Sequence, residues 1–181
     1  MAKGNIIFAL TGSIACYKAC FLISKLVQSG FVVQTIATDS ALKFIGKSTL
    51  EGLTSRPVYL DMFDKSGNIE HVSLPKWADL AIVCPATANS INKFSHGIAD
   101  DLLTSIFLAY DLKKPFLIAP AMNHNMFNHP ATKESFLKLK KWGVKVLESE
   151  YGMQACKEEG DGRLLDPMRI YEEIINTFGG I

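Results

Sequence analysis

Behind the apolar run Phe116-Leu117-Ile118-Ala119 the chain reads PAMNHNMF, residues 120–127. A strand that only needs burial can end in any polar turn. Two carboxamides, an imidazole and two thioethers at a strand end suit the wall of a pocket instead. Asn123 offers two donors without a formal charge, so it can orient an anion without neutralising it. Met122 and Met126 fit either as pocket wall or as core filler at i, i+4. Cys156 lies in GMQACKEEGDGRL, among glycines and charges, and a cysteine in such a segment is a candidate reactive thiol. His71, in NIEHVSLPKWAD, has two readings: a solvated loop imidazole beside Glu70, or a proton-transfer group suited to neutral pH. His96, His124 and His129 stand in helix, turn and pre-proline contexts and read as solvated.

A second group of residues could hold a phosphate. LTGSIACYK joins a strand to a helix through Gly12 and Ser13. Free backbone N–H groups at a helix start, with a hydroxyl beside them, suit an anion. An ordinary serine N-cap on a tight turn is the alternative. The stretch is not Gly-x-Gly-x-x-Gly, and it lacks the Gly-Lys-Ser/Thr of a triphosphate loop. Thr38 and Ser40 repeat the hydroxyl pattern behind the next strand, and Thr87, Asn89 and Ser90 repeat it behind LAIVCP. Three such strand ends favour a mononucleotide. With a single glycine to admit close backbone approach, a monophosphate fits better than a pyrophosphate.

These loops need strands to carry them. Asn5–Leu10, Phe31–Ala37, Leu80–Cys84, Phe116–Ala119 and Val144–Leu147 are short apolar or β-branched runs, two of them stopping at a proline. Helical periodicity fills Ile14–Ser29, Ala131–Gly143 and Pro167–Phe178. Continuous apolar strands between amphipathic helices predict a mainly parallel sheet covered on both faces. That is a doubly wound α/β domain, whose ligands bind beyond the carboxyl ends of the strands. The chain is read as one domain, 1–181. Asp61–Asn68 and Glu148–Arg163 follow neither period; both are polar and glycine-containing, and 148–166 is expected to be a flap over the substrate.

Composition narrows the function classes. Of 181 residues, 48% are hydrophobic, enough for a sizeable core. Nineteen basic against eighteen acidic side chains leave a net charge of +1, with no clustered excess for nucleic acid or an anionic membrane. The N-terminal apolar stretch Ile6–Leu10 is too short for a leader and is broken by Thr11-Gly12-Ser13. A cytoplasmic protein is expected. Cys16, Cys20, Cys84 and Cys156 lack zinc or disulfide-framework spacing, so no metal is expected, and the first three read as small core residues.

Taken together, EHVSL around His71, PATANS at 85–90, PAMNHNMF at 120–127 and ACKEEGDGRL at 155–164 resemble the flavin-dependent cysteine decarboxylases over nearly the whole chain. The resemblance implies a Rossmann-like, flavodoxin-like domain that binds FMN and assembles as trimers or multiples of trimers, with the active site at a subunit interface. Gly12, Ser13, Ile14, Thr38 and Ser40 would hold FMN, together with Thr87, Ala88, Asn89, Ser90 and Ala121. His71 and Cys156 would be catalytic, Cys156 as the acid of a reductive step. Asn123 would bind the substrate carboxylate, with Met126 and Ala155 beside it.

The activity so implied is decarboxylation of 4′-phosphopantothenoylcysteine to 4′-phosphopantetheine in coenzyme A biosynthesis. The substrate thiol is oxidised to a thioaldehyde, CO₂ leaves to give an enethiol, and the enethiol is reduced, with no net redox change. Alternatives are a peptidyl-cysteine decarboxylase of lantibiotic type, against which ACKEEGDGRL argues, and a prenyl-FMN synthase, against which the His71 motif argues. A catalytically silent FMN-binding regulatory subunit and a plain nucleotide-binding module complete the set. Three positions depart from the family pattern. PATANS replaces Pro-Ala-Ser-Ala-Asn-Thr but keeps the hydroxyls, Phe127 replaces a tryptophan, and Lys157 stands where glycine follows the cysteine. The last is the serious one, because glycine tolerates φ > 0 and lysine does not readily. The synthetase domain often fused behind such enzymes is not in this sequence, so a stand-alone form is expected.

Overall fold

The computed structural model describes residues 3–62 and 70–179. Chain order begins β1 (Asn5–Leu10), α1 (Cys16–Gln28), β2 (Val32–Ala37), α2 (Lys47–Thr54), α3 (Glu70–Trp77), β3 (Leu80–Ala86) and α4 (Ala88–His96). It continues α5 (Leu102–Ala109), β4 (Phe116–Pro120), α6 (His124–Asn128), α7 (Pro130–Lys141), β5 (Lys145–Val146), β6 (Glu150–Met153), β7 (Glu159–Arg163) and α8 (Pro167–Gly179). Five strands form one parallel sheet in the order β2-β1-β3-β4-β5. This is the doubly wound arrangement expected, with its switch point between β1 and β3. No described helix is long and apolar enough to cross a membrane.

Both faces of the sheet are covered because alternate side chains of each strand point to opposite sides. Ile6, Phe8 and Leu10 of β1 pack with Leu22, Leu26, Ile170 and Ile174 of α1 and α8, while Ile7 and Ala9 face the opposite cluster around Phe94, Phe107 and Leu139. On α1 the buried positions Cys16, Ala19, Leu22, Ile23 and Leu26 make a single helical stripe. In the second cluster Phe94 and Phe107 lie 4.6 Å apart between centroids, and Phe116 meets Phe107 edge-on at 5.0 Å. Burying each such large side chain contributes about 1.5–3 kcal/mol.

Several boundaries differ from the sequence expectation. β3 does not stop at Pro85 but runs on to Ala86, because the ladder with β4 shifts register between Val83 and Ala86. A proline is tolerated at such an irregularity, where no ladder N–H is required. Helix α1 starts at Cys16 rather than Ile14, and β5 keeps only two residues of Val144–Leu147. The unassigned stretch 148–163 forms an antiparallel hairpin, β6 with β7. Of 61–68, all but the first two residues lie outside the described residues. Four short helices, α2 to α5, had no strong sequence signal. Helix α3 even contains Pro75, and the carbonyls at its C-terminal end are taken up by Lys114 Nζ, which donates to Pro75, Lys76 and Ala78 oxygens at 3.3, 3.1 and 2.8 Å. Helix α5 starts in a reciprocal cap, Thr104 N donating to Asp101 Oδ1 at 2.7 Å.

Candidate active site

The loops behind β1, β2, β3 and β4 open into one cavity of about 920 Å³ at the carboxyl end of the sheet. Gly12 and Ser13 line it from the first loop, Thr38 and Ser40 from the second. Thr87, Asn89 and Ser90 line it from the third, and Ala121, Asn123 and Met126 from the fourth. The size falls within the range of small-molecule sites, roughly 300–1,000 Å³.

Thr11 fixes the two central strand ends against each other. Its buried hydroxyl donates to the Pro85 carbonyl at 2.7 Å and accepts from the Thr87 N–H at 3.0 Å. This sets the start of α4, where Thr87 makes no side-chain cap, so the first-turn N–H groups have no hydroxyl acceptor from it. A Cβ on Gly12 would sit 2.5 Å from the Ser40 Cβ, so only glycine lets the first two loops close up. Uncapped N–H groups, converging hydroxyls and a bare backbone fit a phosphate monoester.

A second cavity, about 530 Å³, adjoins the first. Ser13, Ala121, Met122 and Asn123 line both and so form the dividing wall. Met153, Gln154, Ala155 and Cys156, from the β6–β7 hairpin, line it as well. Asn123 is the N-cap of α6: its Oδ1 accepts from Asn125 N–H at 2.8 Å. That bond turns the NH₂ outward, where Nδ2 meets Gln154 Oε1 and Cys156 Sγ, each at 3.5 Å.

Gln154 locks the hairpin onto this wall. Its Oε1 accepts from His124 N–H at 3.0 Å and its Nε2 donates to the Asp161 carbonyl at 2.6 Å. His124, rather than being solvated, accepts at Nδ1 from Asp161 N–H at 3.1 Å. Met122 N–H donates to the Gly162 carbonyl at 2.9 Å. Cys156 sits in the hairpin's connecting turn, closed by Lys157 N–H to Gln154 O at 2.9 Å. Lys157 takes φ +65°, so the conformation expected of a glycine is kept and the lysine bears its strain.

Four of the sequence candidates lie elsewhere. Met126, expected beside the substrate, lines the first cavity and not the second. Ile14 lines the second cavity, not the first, and Ala88 lines neither. His71 is in the first turn of α3, not in a loop, and lines neither cavity; its Nδ1 is buried without a hydrogen-bond partner among the described residues. Sequence reasoning passed over Thr11, Lys93, Gln154 and the pair Asp100 and Asp101. Lys93 was legible at i+4 from Asn89 on the same face of α4, and it bonds Asp100 at 2.8 Å. That hydrogen bond holds the Asp100 carboxyl below the usual carboxylate range. Burial pushes the Cys16, Cys20 and Cys84 thiols up, in keeping with core roles.

A doubly wound domain with a monophosphate cradle at its switch point, and a second pocket holding a carboxamide and a thiol, defines a class of mononucleotide-dependent enzyme folds. The sequence pattern of the Flavoprotein family matches residues 1–179, and the chain belongs to that family. It is 45% identical over 168 residues to the coenzyme A biosynthesis bifunctional protein CoaBC of Bacillus subtilis, covering 92% of this chain but 41% of that protein. It is 39% identical over 172 residues to a probable phosphopantothenoylcysteine decarboxylase of Streptococcus mutans, covering 94% of this chain and 96% of that one. So the chain spans about two fifths of its bifunctional relative and nearly all of the shorter one. Among solved structures, a mutant PPC decarboxylase complexed with pantothenoylaminoethenethiol superposes with a TM-score of 0.86 at 29% identity, covering 97% of this chain and 98% of that one. The FMN binding protein AtHal3 gives 0.85 at 30%, covering 99% and 98%.

Proposed function

We propose that the chain binds FMN and decarboxylates 4′-phosphopantothenoylcysteine to 4′-phosphopantetheine, in the cytoplasm and as a trimer or multiple of trimers. The observation that carries this reading is the Asn123 carboxamide beside the Cys156 thiol, on the wall shared by a nucleotide-sized and a substrate-sized cavity. Gly12, Ser13, Thr38 and Ser40, with Thr87, Asn89 and Ser90, fit the cofactor's phosphate and ribityl hydroxyls. When bound, FMN supplies the reversible two-electron chemistry that gives the departing carboxylate's electron pair somewhere to go.

The chain's own residues do the rest. Asn123 orients the carboxylate through a neutral donor. An arginine there would hold the same charge through a strong bidentate pair, stabilising the state that must be destroyed. Cys156 delivers a proton to the enethiol carbon in the last step. His71 handles the thiol proton and reaches the site from a neighbouring subunit. Supporting that reading is its position outside both cavities of its own chain. The exposed apolar row Ile14, Tyr17 and Phe21 beside the second cavity also suits a subunit contact. Anaerobic incubation of the flavin-loaded protein with 4′-phosphopantothenoylcysteine, following CO₂ and product mass, tests the reading. A protein that takes up no FMN, or takes it up and releases no CO₂, overturns it.

A further inference from the structure

The second cavity has a charge pattern that the chemistry so far does not use. Among the described residues only two charged ones line it, Lys18 on α1 and Arg163 at the end of β7, and both are cations. No described aspartate or glutamate lines it. Both side chains belong to half-buried residues, and neither has an ion-pair partner among the described residues. Lysine and arginine that give up water usually gain a carboxylate in return; here none of the described residues supplies one. The guanidinium of Arg163 is moreover given its place by the backbone: it lies over Gly152 on the facing strand, where any Cβ would overlap it. Ile14, Ala15, Met122, Met153 and Leu164 give the lining an apolar stretch, and its other polar groups, among them Ser13, Asn123 and Gln154, are uncharged.

We infer that Lys18 and Arg163 form a subsite for a dianionic phosphate monoester at the distal end of an extended, largely neutral substrate. The inference rests on the proposed function. A substrate with a carboxylate and thiol at one end and a phosphate ester at the other would place the first against Asn123 and Cys156. Its uncharged arm would cross the apolar wall, and its phosphate would meet the two cations. Guanidinium and ammonium donors both suit phosphate oxygens. The subsite therefore selects phosphorylated over unphosphorylated substrate, and it is separate from the cofactor's phosphate cradle, since neither cation lines the first cavity.

The test compares 4′-phosphopantothenoylcysteine with pantothenoylcysteine on flavin-loaded enzyme carrying Lys18→Gln, Arg163→Gln or both. Each substitution should lower kcat/KM for the phosphorylated substrate about tenfold, the scale of one charge-assisted hydrogen bond. The preference for the phosphorylated substrate should collapse towards one in the double variant. Lys18→Arg and Arg163→Lys should retain most of it, which separates charge from folding. Calorimetry with 4′-phosphopantetheine and pantetheine should give the same preference in Kd and the same loss. A preference ratio that the double variant leaves unchanged overturns the subsite. So does a variant that loses FMN, because the cations would then serve the cofactor. If the parent enzyme decarboxylates neither compound, the proposed function fails, while the phosphate preference is still read from calorimetry.

Discussion

Asn123 Nδ2 donates to Cys156 Sγ across 3.5 Å, joining two loops 33 residues apart in the chain. The contact exists because the carboxamide is divided between two tasks. Its oxygen caps helix α6 through Asn125 N–H, and its nitrogen is left facing the thiol and both cavities.

That division separates fold from function in a simple pair of variants. Asp is as good an N-cap as Asn, so Asn123→Asp should keep α6 and its thermal midpoint. It has no donor, however, and sets one anion against another, so decarboxylation should fall further than in Asn123→Ala. The alanine variant should lose on the order of 1.5–3 kcal/mol of substrate binding, the worth of a hydrogen bond to a charged group. Equal activity for Asn and Asp at neutral pH would contradict the carboxylate role.

Cys156→Ser should split the reaction. Releasing CO₂ needs no proton at the enethiol carbon, so a single turnover should still yield CO₂. The enethiol should then accumulate, because an alcohol is a far weaker acid than a thiol. Mass spectrometry should find a product about two mass units below 4′-phosphopantetheine, the difference of two hydrogens between enethiol and thiol. Normal product at the parent rate would leave Cys156 without this role.

The four thiols should also differ in reactivity. Cys156 is exposed, whereas burial raises Cys16, Cys20 and Cys84 and starves them of thiolate at neutral pH. One fast-labelling cysteine per chain is expected, and Cys156→Ser should abolish it. A fast phase that survives the substitution would place the reactive thiol elsewhere.

Lys157→Gly should stabilise the protein. A side chain at φ +65° costs about 1–2 kcal/mol, and glycine's extra backbone entropy returns roughly 0.5–1 of that. A net gain of about 0.5–1 kcal/mol corresponds to a rise in Tm of roughly 1–4 °C for a chain of this size. A lowered Tm would mean that the lysine side chain contributes more than its backbone costs.

Thr11→Val keeps the shape of a buried residue and removes the hydroxyl that bridges Pro85 O and Thr87 N–H. Pro85 O keeps the Thr11 backbone N–H at 3.3 Å, but the Thr87 N–H is left unpaired, which should cost about 1–3 kcal/mol. The start of α4 should shift with it, so FMN affinity should drop along with stability. Unchanged flavin affinity in a destabilised variant would confine Thr11 to folding.

The sequence by itself determined the parallel core and the identity of the chemistry-bearing loops. Runs such as Leu80–Cys84 and Phe116–Ala119 can satisfy their apolar side chains only between two covered faces, and ligands then gather where those strands end. Gly12, Ser13, Thr38, Ser40, Thr87 and Asn123 were legible for that reason. The short helices α2 to α5 were not, since eight or nine residues carry little periodicity and depend on packing for their stability. Nor was the passage of β3 through Pro85, which depends on a register shift with β4. Local pattern carries no information about which distant loops meet. The pairing of Asn123 with Cys156, the clamp of Gln154, and the exclusion of His71 from its own chain's cavities arise only when the β6–β7 hairpin docks on the β4–α6 loop and α3 packs away from it. Those contacts join residues dozens of positions apart, and tertiary packing alone decides them.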